Sequence, residues 1–279
     1  MEKTTLIDLQ RKANLVRQEV VSTVYGAKSG HIGGSLSIAD TLTYLYEMQM
    51  RVDPKNPSWS GRDRFVLSKG HTCPALYSVL AHKGFFDVSE LKKFRQVGAM
   101  LQGHPDMKGT PGVDMSTGSL GQGVSAAVGM ALAGKLDRAD WRVYAILGDG
   151  EVQEGQVWEA AMFAGNHGLD NLIIVVDNNN LQSDGQVSKV CSIDPLDKKF
   201  EAFGWAAFHA DAHDFESLDA AFQAAKAVKG KPSVIIQKSV KGKGVSFMEN
   251  QVGWHATLPT PEQYEQAMAE LKAIAAELE

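Results

Sequence analysis

The stretch Gly148-Asp149-Gly150-Glu151 follows an apolar run at 143–147, and a second apolar run at 172–176 leads into Asp177-Asn178-Asn179-Asn180. Short apolar runs of this kind are typical of strands buried in a parallel sheet, and the segment 154–168 between them predicts a helix. The resulting order of strand, glycine turn, helix and strand places acidic and amide side chains at the carboxyl ends of neighbouring strands. Open α/β sheets bind their ligands at that edge, so the stretch predicts an α/β fold with a ligand site there.

The residues of this corner suggest a metal and a diphosphate. Gly148 and Gly150 allow a tight turn around Asp149, and the first N–H groups of the following helix favour a phosphate. Asp149 and Asn179 offer hard oxygen atoms, which suit Mg²⁺ or Ca²⁺ bridging to a diphosphate. Glycine, aspartate and asparagine are also ordinary turn residues. The interpretation therefore depends on the pair of motifs about thirty residues apart, not on either motif alone.

Composition limits the class of protein. With 279 residues, of which 44% are hydrophobic, the chain can form one large α/β domain. The net charge of -5 gives no basic field for nucleic acid. Cys73 and Cys191 do not form a disulfide framework and fit a reducing cytoplasm. No apolar run approaches the ~20 residues of a membrane span, and the N-terminus lacks a signal peptide. We therefore expect a soluble cytoplasmic protein with no nucleic-acid or membrane partner.

Periodicity and turn signals predict the remaining elements. Apolar positions from Leu6 to Val24 predict an opening helix, and Ser37 is a candidate cap for the next helix. Further on, the pattern predicts a strand at 65–67, a loop over 98–120, a helix over 121–136, a loop over 181–195, strands at 205–208 and 233–237 with a helix at 215–228 between them, a loop over 239–259 and a helix that Thr260 caps.

The pair GDG…NN resembles the thiamine-diphosphate motif, and four other segments resemble successive signatures of the transketolase family. They are Lys28-Ser29-Gly30-His31-Ile32-Gly33-Gly34, the run from Arg62 to His71, Gly103-His104-Pro105 and the run from Gly118 to Gly123. They occur in the family's order and cover nearly the whole chain. The resemblance implies the three-layer thiamine-diphosphate-binding fold, with a mostly parallel central sheet and helices on both faces. It also implies that residues 1–279 form a single diphosphate-binding domain.

The same resemblance implies a ligand set. Mg²⁺, with Ca²⁺ or Mn²⁺ as alternatives, would be held by Asp149, Asn179 and the main-chain carbonyl of Leu181. Thiamine diphosphate would be contacted by a further set of residues, which comprises His71, Gly118, Leu120, Gly148, Asp149, Gly150, Asn179 and His255.

Four of the eight histidines lie in glycine-flanked loops that we expect at the carboxyl edge. By resemblance, His71 touches the diphosphate and His104 holds the terminal hydroxyl of the donor sugar. His31 and His255 flank the reacting carbon and stabilise or deprotonate a sugar hydroxyl. Imidazoles suit these roles because they exchange protons near neutral pH. The other four histidines match no motif and are interpreted as structural: His82, His167, His209 and His213.

Two further sets of charged residues have two interpretations each. Glu154 matches a family glutamate at the subunit contact, linked to the cofactor-activating acid of the opposite polypeptide. A glutamate in the first turn of a helix also interacts favourably with the helix dipole. Lys238, Lys241 and Lys243 are interpreted as a solvated loop, with attraction for a diphosphate as the second interpretation.

The family's activating glutamate and its phosphate-binding arginines and serine belong to a pyrimidine-binding domain, and neither that domain nor the third domain has a counterpart in this chain. We therefore expect a subunit that is inactive alone and active with a separate C-terminal subunit, in an α₂β₂ assembly. Together they would transfer a two-carbon ketol unit from a ketose (phosphate) to an aldose. The start of the chain and its capped last helix suit a natural subunit, with an artificial truncation as the alternative.

Ile32 stands where the family's first signature has proline, which resembles divided transketolases and, more distantly, deoxyxylulose-phosphate synthase. A fragment of that synthase, or the α subunit of a 2-oxoacid dehydrogenase, is therefore an alternative, although the segments at 62–65, 70–71 and 103–105 favour transketolase. A non-catalytic regulatory relative would leave the metal pair and the histidines unexplained. A dinucleotide-binding domain is disfavoured because 118–123 spells G-x-x-G-x-G, not G-x-G-x-x-G.

Overall fold

The central sheet of the computed structural model, which describes residues 1–278, has five strands that are all parallel. The strands of the chain are β1 (Arg64–Leu67), β2 (Val143–Gly148), β3 (Leu172–Asn178), β4 (Leu181–Gln182), β5 (Gly185–Gln186), β6 (Ala206–Asp211) and β7 (Ser233–Lys238). The sheet order is β1-β2-β3-β7-β6, while β4 and β5 form a separate antiparallel hairpin. The apolar runs at 143–147 and 172–176 are indeed buried central strands, as predicted.

Helices cover both faces of the sheet. They are α1 (Lys3–Ala27), α2 (Gly33–Ser37), α3 (Ala39–Tyr44), α4 (Cys73–Lys83), α5 (Gln122–Leu136), α6 (Gly155–Asn166), α7 (Val187–Val190), α8 (Leu196–Ala202), α9 (Phe215–Ala227) and α10 (Pro261–Glu277). Short 3₁₀ turns cover Gly70–Thr72, Val88–Lys93, Gly150–Gln153 and Val252–His255, and a π-helical turn covers Leu45–Gln49. No helix within residues 1–278 is long and apolar enough to cross a membrane.

Alternation along the strands divides the core between the two faces. In β2, Tyr144 and Ile146 pack with α1, α3, α4 and α9, whereas Val143, Ala145 and Leu147 pack with α5, α6 and α8. Successive side chains of a strand point to opposite faces, so a strand that is apolar at every position requires a cover on each side. The predicted three-layer fold is therefore confirmed.

The last helix begins as the sequence predicted. The Thr260 hydroxyl accepts from the Gln263 N–H at 3.2 Å, and the Gln263 side chain accepts from the Thr260 N–H at 2.9 Å, which completes a capping box. Ala267 and Leu271 are fully buried, and Tyr264 stacks on Tyr25 of α1 at 4.1 Å. These contacts fix α10 against α1.

Two local predictions were wrong. Ser37 is the last residue of α2 and not a cap of α3, because its hydroxyl donates to the Gly34 carbonyl and to the Asp177 carboxylate instead. The predicted loop over 181–195 contains the β4–β5 hairpin and the short α7, since Leu181 pairs with Gln186. The predicted loop over 98–120, by contrast, contains neither helix nor strand.

Candidate functional site

A cavity of about 490 Å³ opens at the carboxyl edge of the sheet. Strands β1, β2, β3 and β7 all end there, and each delivers its following loop to the cavity wall. Every residue that the sequence predicted for the site lines this one cavity: His31, His71, His104, Gly118, Leu120, Gly148, Asp149, Gly150, Glu154, Asn179, Leu181 and His255. A second cavity of about 550 Å³ beside the ends of β6 and β7 contains none of these residues.

Asp149 and Asn179 are held in fixed orientations by main-chain N–H groups. The Asp149 carboxylate accepts from Gly150 at 2.8 Å and from Asn180 at 2.5 Å, and the Asn179 carbonyl oxygen accepts from Leu181 at 3.0 Å. Burial and the neighbouring Asp177 charge raise the pKa of Asp149 to about 6. A cation beside Asp149 would counter both effects.

The donor set of this corner fits a hard divalent cation. It consists of a carboxylate, an amide oxygen and the Leu181 carbonyl, which are ligands that Mg²⁺ and Ca²⁺ accept. Within residues 1–278 no group of three or more histidine, cysteine, aspartate or glutamate side chains could hold a metal. Because Mg²⁺ takes about six ligands, a metal ion held by these three oxygen atoms would need further ones from water or from a diphosphate.

Lys69 and Asp177, which the sequence analysis did not select, form a buried ion pair under the cavity. The Lys69 ammonium lies 2.5 Å from the Asp177 carboxylate and 3.2 Å from the Gly34 carbonyl. Asp177 also accepts from the Asn179 side chain at 3.2 Å, so the pair supports the amide that faces the cavity. Two features of the sequence could have predicted this pair, namely a lysine just after β1 and an aspartate near the end of β3.

Glu151 is a second residue that sequence reasoning missed. Its buried carboxylate accepts from the Ser68 hydroxyl at 2.5 Å, the Gly121 N–H at 2.9 Å and the Gly148 N–H at 3.0 Å. Burial raises its pKa. Glu151 therefore joins the ends of β1 and β2 to the loop that carries Gly118 and Leu120, and its position directly after the GDG motif was the signal.

The interpretation of Lys241 as a solvated loop residue was wrong. Its side chain is buried, and its ammonium lies 3.2 Å from the Leu181 carbonyl and 2.9 Å from Nδ1 of His255. Burial, together with the charge of Lys69, lowers the pKa of Lys241 to about 8. Lys238 is exposed, and Lys243 pairs with Glu249 at 3.4 Å. These two lysines agree with the interpretation as a solvated loop.

Three of the predicted histidines form a triangle. The ring centroids of His31, His71 and His255 are separated by 5.0, 5.2 and 5.3 Å. Burial and nearby positive charges lower the pKa of His31 to about 4 and that of His255 to about 3, and they also lower the pKa of His71. The three imidazoles are therefore neutral at pH 7. Nδ1 of His31 is buried without a hydrogen-bond partner in the described part of the chain.

The remaining predicted residues lie at the cavity rim. His104 is exposed and packs against Gly118, where an added Cβ would approach its ring to 3.1 Å. Leu120 is 38% exposed, so it offers an apolar contact to a ligand or to a partner. Glu154 occupies the N-cap position of α6, but its exposed side chain makes no capping hydrogen bond.

The four histidines interpreted as structural lie outside the cavity. His213 bonds to Asp40 at 2.7 Å and accepts from the Val240 N–H at 2.9 Å. The other three make local contacts: His82 with Glu19, His167 with Phe163 and His209 with Asp197.

Ile32 and the two glycines that follow it pack closely against neighbouring segments. Ile32 is fully buried, and a Cβ at Gly33 would lie 2.6 Å from the Trp254 carbonyl oxygen. At Gly34 a Cβ would lie 2.9 Å from the Thr72 side chain. The glycines therefore let α2 approach the loops that carry His71 and His255.

Known proteins share both the sequence and the fold. Residues 9–271 match the family described as transketolase, thiamine diphosphate binding domain. The chain is 48% identical over 266 residues to the 6-deoxy-6-sulfo-D-fructose transketolase subunit SqwG of Clostridium sp. (strain MSTE9), with 95% of this chain and 97% of that protein covered. It is 42% identical to an apulose-4-phosphate transketolase subunit from Phocaeicola vulgatus, with 98% and 96% covered.

A solved structure supports the same relationship. Transketolase from Campylobacter jejuni superposes with a TM-score of 0.91 at 35% identity and covers all of this chain. The chain spans 46% of that transketolase. The chain therefore belongs to the transketolase family and is a transketolase subunit that carries the thiamine diphosphate-binding domain.

Proposed function

We propose that this chain is the N-terminal subunit of a transketolase that moves a two-carbon ketol unit from a ketose donor to an aldose acceptor. The observation that carries the proposal is the single cavity in which a hard-oxygen corner, two buried ammonium groups and three neutral imidazoles meet. Such a combination accommodates a metal diphosphate at one end and a polyhydroxylated substrate at the other.

Thiamine diphosphate is the cofactor that we propose for this cavity, with Mg²⁺ as its metal. Asp149, Asn179 and the Leu181 carbonyl would hold the metal, and the positive charges of Lys69 and Lys241 would attract the diphosphate. When bound, the cofactor would supply the nucleophilic carbon that accepts the ketol unit.

The histidines would handle the hydroxyl groups of the sugar. A neutral imidazole can accept a hydroxyl proton at one nitrogen and donate from the other. The ammonium of Lys241, at 2.9 Å from Nδ1 of His255, fixes the orientation of that ring. His71 would contact the diphosphate, and His104 at the rim would hold the terminal hydroxyl of the donor.

A separate C-terminal subunit would supply the activating acid and the grip on the anionic end of the substrate. Glu154 and Leu120 at the rim, with Met162 and Phe163 exposed on α6, offer a mixed polar and apolar surface for it. We propose an α₂β₂ assembly in the cytoplasm, where the two free thiols, Cys73 and Cys191, would persist.

The donor is proposed to be a ketose with an anionic end group. The relatives are named for transketolases of a sulfonated sugar and of a sugar phosphate. A panel of sulfonated, phosphorylated and plain ketoses, with pyruvate as the test for the 2-oxoacid alternative, would identify the donor. Rapid turnover of pyruvate without ketol transfer would contradict the proposal.

The first experiment is a calorimetric titration of thiamine diphosphate with Mg²⁺ into the chain, alone and mixed with the C-terminal polypeptide. We expect weak binding alone, tight binding in the mixture and loss of binding in Asp149→Ala. Asp137→Ala, which changes an exposed aspartate at the end of α5, is the matched control. Absence of binding in both conditions would refute the assignment.

A further inference from the structure

Arg95 lies between the two loops that carry His31 and His104. Its Nη1 donates to the Ser29 hydroxyl at 2.6 Å, and its Nη2 donates to the Gly103 carbonyl at 3.3 Å. Ser29 lies two residues before His31, and Gly103 directly precedes His104. Both histidines are at the substrate end of the cavity. We propose that Arg95 is a positioning residue for ketol transfer, because its guanidinium joins the His31 loop to the His104 loop; this inference rests on the function proposed above.

The backbone at Arg95 is in a conformation that an arginine rarely adopts. Its φ is 61°, in the left-handed region, and its N–H donates to the Leu101 carbonyl at 2.9 Å. Nε is buried and has no hydrogen-bond partner among residues 1–278. Left-handed backbone and a buried unpartnered N–H are both unfavourable, so stability alone does not account for this placement.

The guanidinium packs closely against Gly103, which has no side chain. A Cβ at this position would lie 2.8 Å from Nε of Arg95, so a larger residue would require the guanidinium to shift. The same loop is also held by α4, where Tyr77 donates to the His104 carbonyl at 3.0 Å and Cys73 donates to the Gly103 carbonyl at 3.3 Å. Arg95 and α4 thus both hold the main chain next to His104, and the Gly103 carbonyl accepts from each of them.

The charge of Arg95 also acts on both histidines. After burial, it is the largest influence that lowers the pKa of His31 and of His104. The other charged or titratable groups that face His31 are His71, His104, His255 and Lys241. Arg95 therefore holds the two imidazoles in place and favours their neutral form, the form that accepts a hydroxyl proton.

The test separates the hydrogen bonds from the charge. Arg95→Met removes both, Arg95→Lys keeps the charge but reaches only one partner, and Ser29→Ala removes a single bond. Arg138→Met is the matched control, because Arg138 also has a positive φ of 54° and is exposed at the end of α5, away from the cavity.

Three measurements apply to each variant: thiamine diphosphate titration and donor kinetics with the C-terminal subunit, and NMR titration of the histidines in the chain alone. For Arg95→Met we expect unchanged cofactor affinity, a loss of kcat/KM for the donor of roughly 100-fold and higher pKa values for His31 and His104. Arg95→Lys should restore the pKa values but not kcat/KM. Ser29→Ala should lose about 5-fold in kcat/KM, and Arg138→Met should behave as wild type.

Unchanged kinetics or unchanged histidine pKa values in a folded Arg95→Met would overturn the proposal. If circular dichroism shows that Arg95→Met does not fold, Ser29→Ala decides, and unaltered kinetics there would reject the link between the loops. A wild-type chain that shows no ketol transfer with its partner would instead contradict the proposed function. The NMR titration would still report on Arg95 in that case, so the two failures are distinguishable.

Discussion

Asp177 should be among the most sensitive positions in the molecule. It is fully buried, and it accepts from the Lys69 ammonium at 2.5 Å, the Ser37 hydroxyl at 2.6 Å and the Asn179 side chain at 3.2 Å, as well as from Ser239 and, at 3.4 Å, from Gln237. Burial alone would raise the pKa of Asp177, but Lys69 and the hydroxyls of Ser239 and Ser37 hold this pKa below its usual value. One carboxylate thus organises β3, β7, α2 and the lysine after β1.

The change Asp177→Asn keeps the shape and removes the charge. Loss of one partner of a buried ion pair costs about 3 to 5 kcal/mol, because the other charge is left buried without compensation. We expect a value near 3 kcal/mol, since the new amide can donate to the Ser239 hydroxyl and still accept from Lys69. For a chain of this size, such a loss lowers the melting temperature by roughly 6 to 12 °C.

The assay is a double-mutant cycle followed by urea and thermal unfolding. Lys69→Met alone leaves Asp177 buried without its cation, and Asp177→Asn with Lys69→Met removes both charges. We expect the double variant to recover about 1 to 3 kcal/mol relative to the sum of the single changes. Asp184→Asn, at an exposed turn between β4 and β5, controls for the loss of a negative charge. A single substitution that lowers the unfolding free energy by less than about 1 kcal/mol would refute this account of the Lys69–Asp177 pair, and so would a cycle without coupling.

Four other outcomes follow from the surroundings of particular residues. Gly33→Ala places a Cβ 2.6 Å from a carbonyl oxygen and should destabilise the chain, whereas Gly26→Ala, with nothing within 4 Å, should stabilise α1 by about 0.5 to 1 kcal/mol in urea unfolding. Thr260→Ala removes the capping box and should cost about 1 kcal/mol in the same assay. Although burial opposes it, Arg17 holds the pKa of Asp40 at about 2, below the ordinary 3.8. The resulting stabilisation of about 2 kcal/mol should be present above pH 4 and lost as the pH falls toward 2. The difference in unfolding free energy between the wild-type chain and Asp40→Asn should therefore shrink across that pH range.

Much of the architecture could be predicted from local pattern. The apolar runs that became β2 and β3 are buried at every position, and only a sheet covered on both faces satisfies such a strand. The capping box at Thr260 was predictable because its two hydrogen bonds join residues three apart in the chain. Ser37 was misassigned because its hydroxyl found a partner 140 residues away, in Asp177, which no local pattern reveals.

The sequence by itself identified twelve residues that line the cavity, because each stands in a motif near the end of a strand or in a glycine-rich loop. Only the tertiary structure decided the electrostatics of the cavity. Charged residues usually lie at the surface, yet four of them are buried here: Lys69, Glu151, Asp177 and Lys241. Burial of a charge depends on partners brought together from distant segments, as where Lys69 meets Asp177 from 108 residues away. Folding of the sheet is what brings these loops to one edge, so the charges that support the site follow from strand order and not from spacing along the chain.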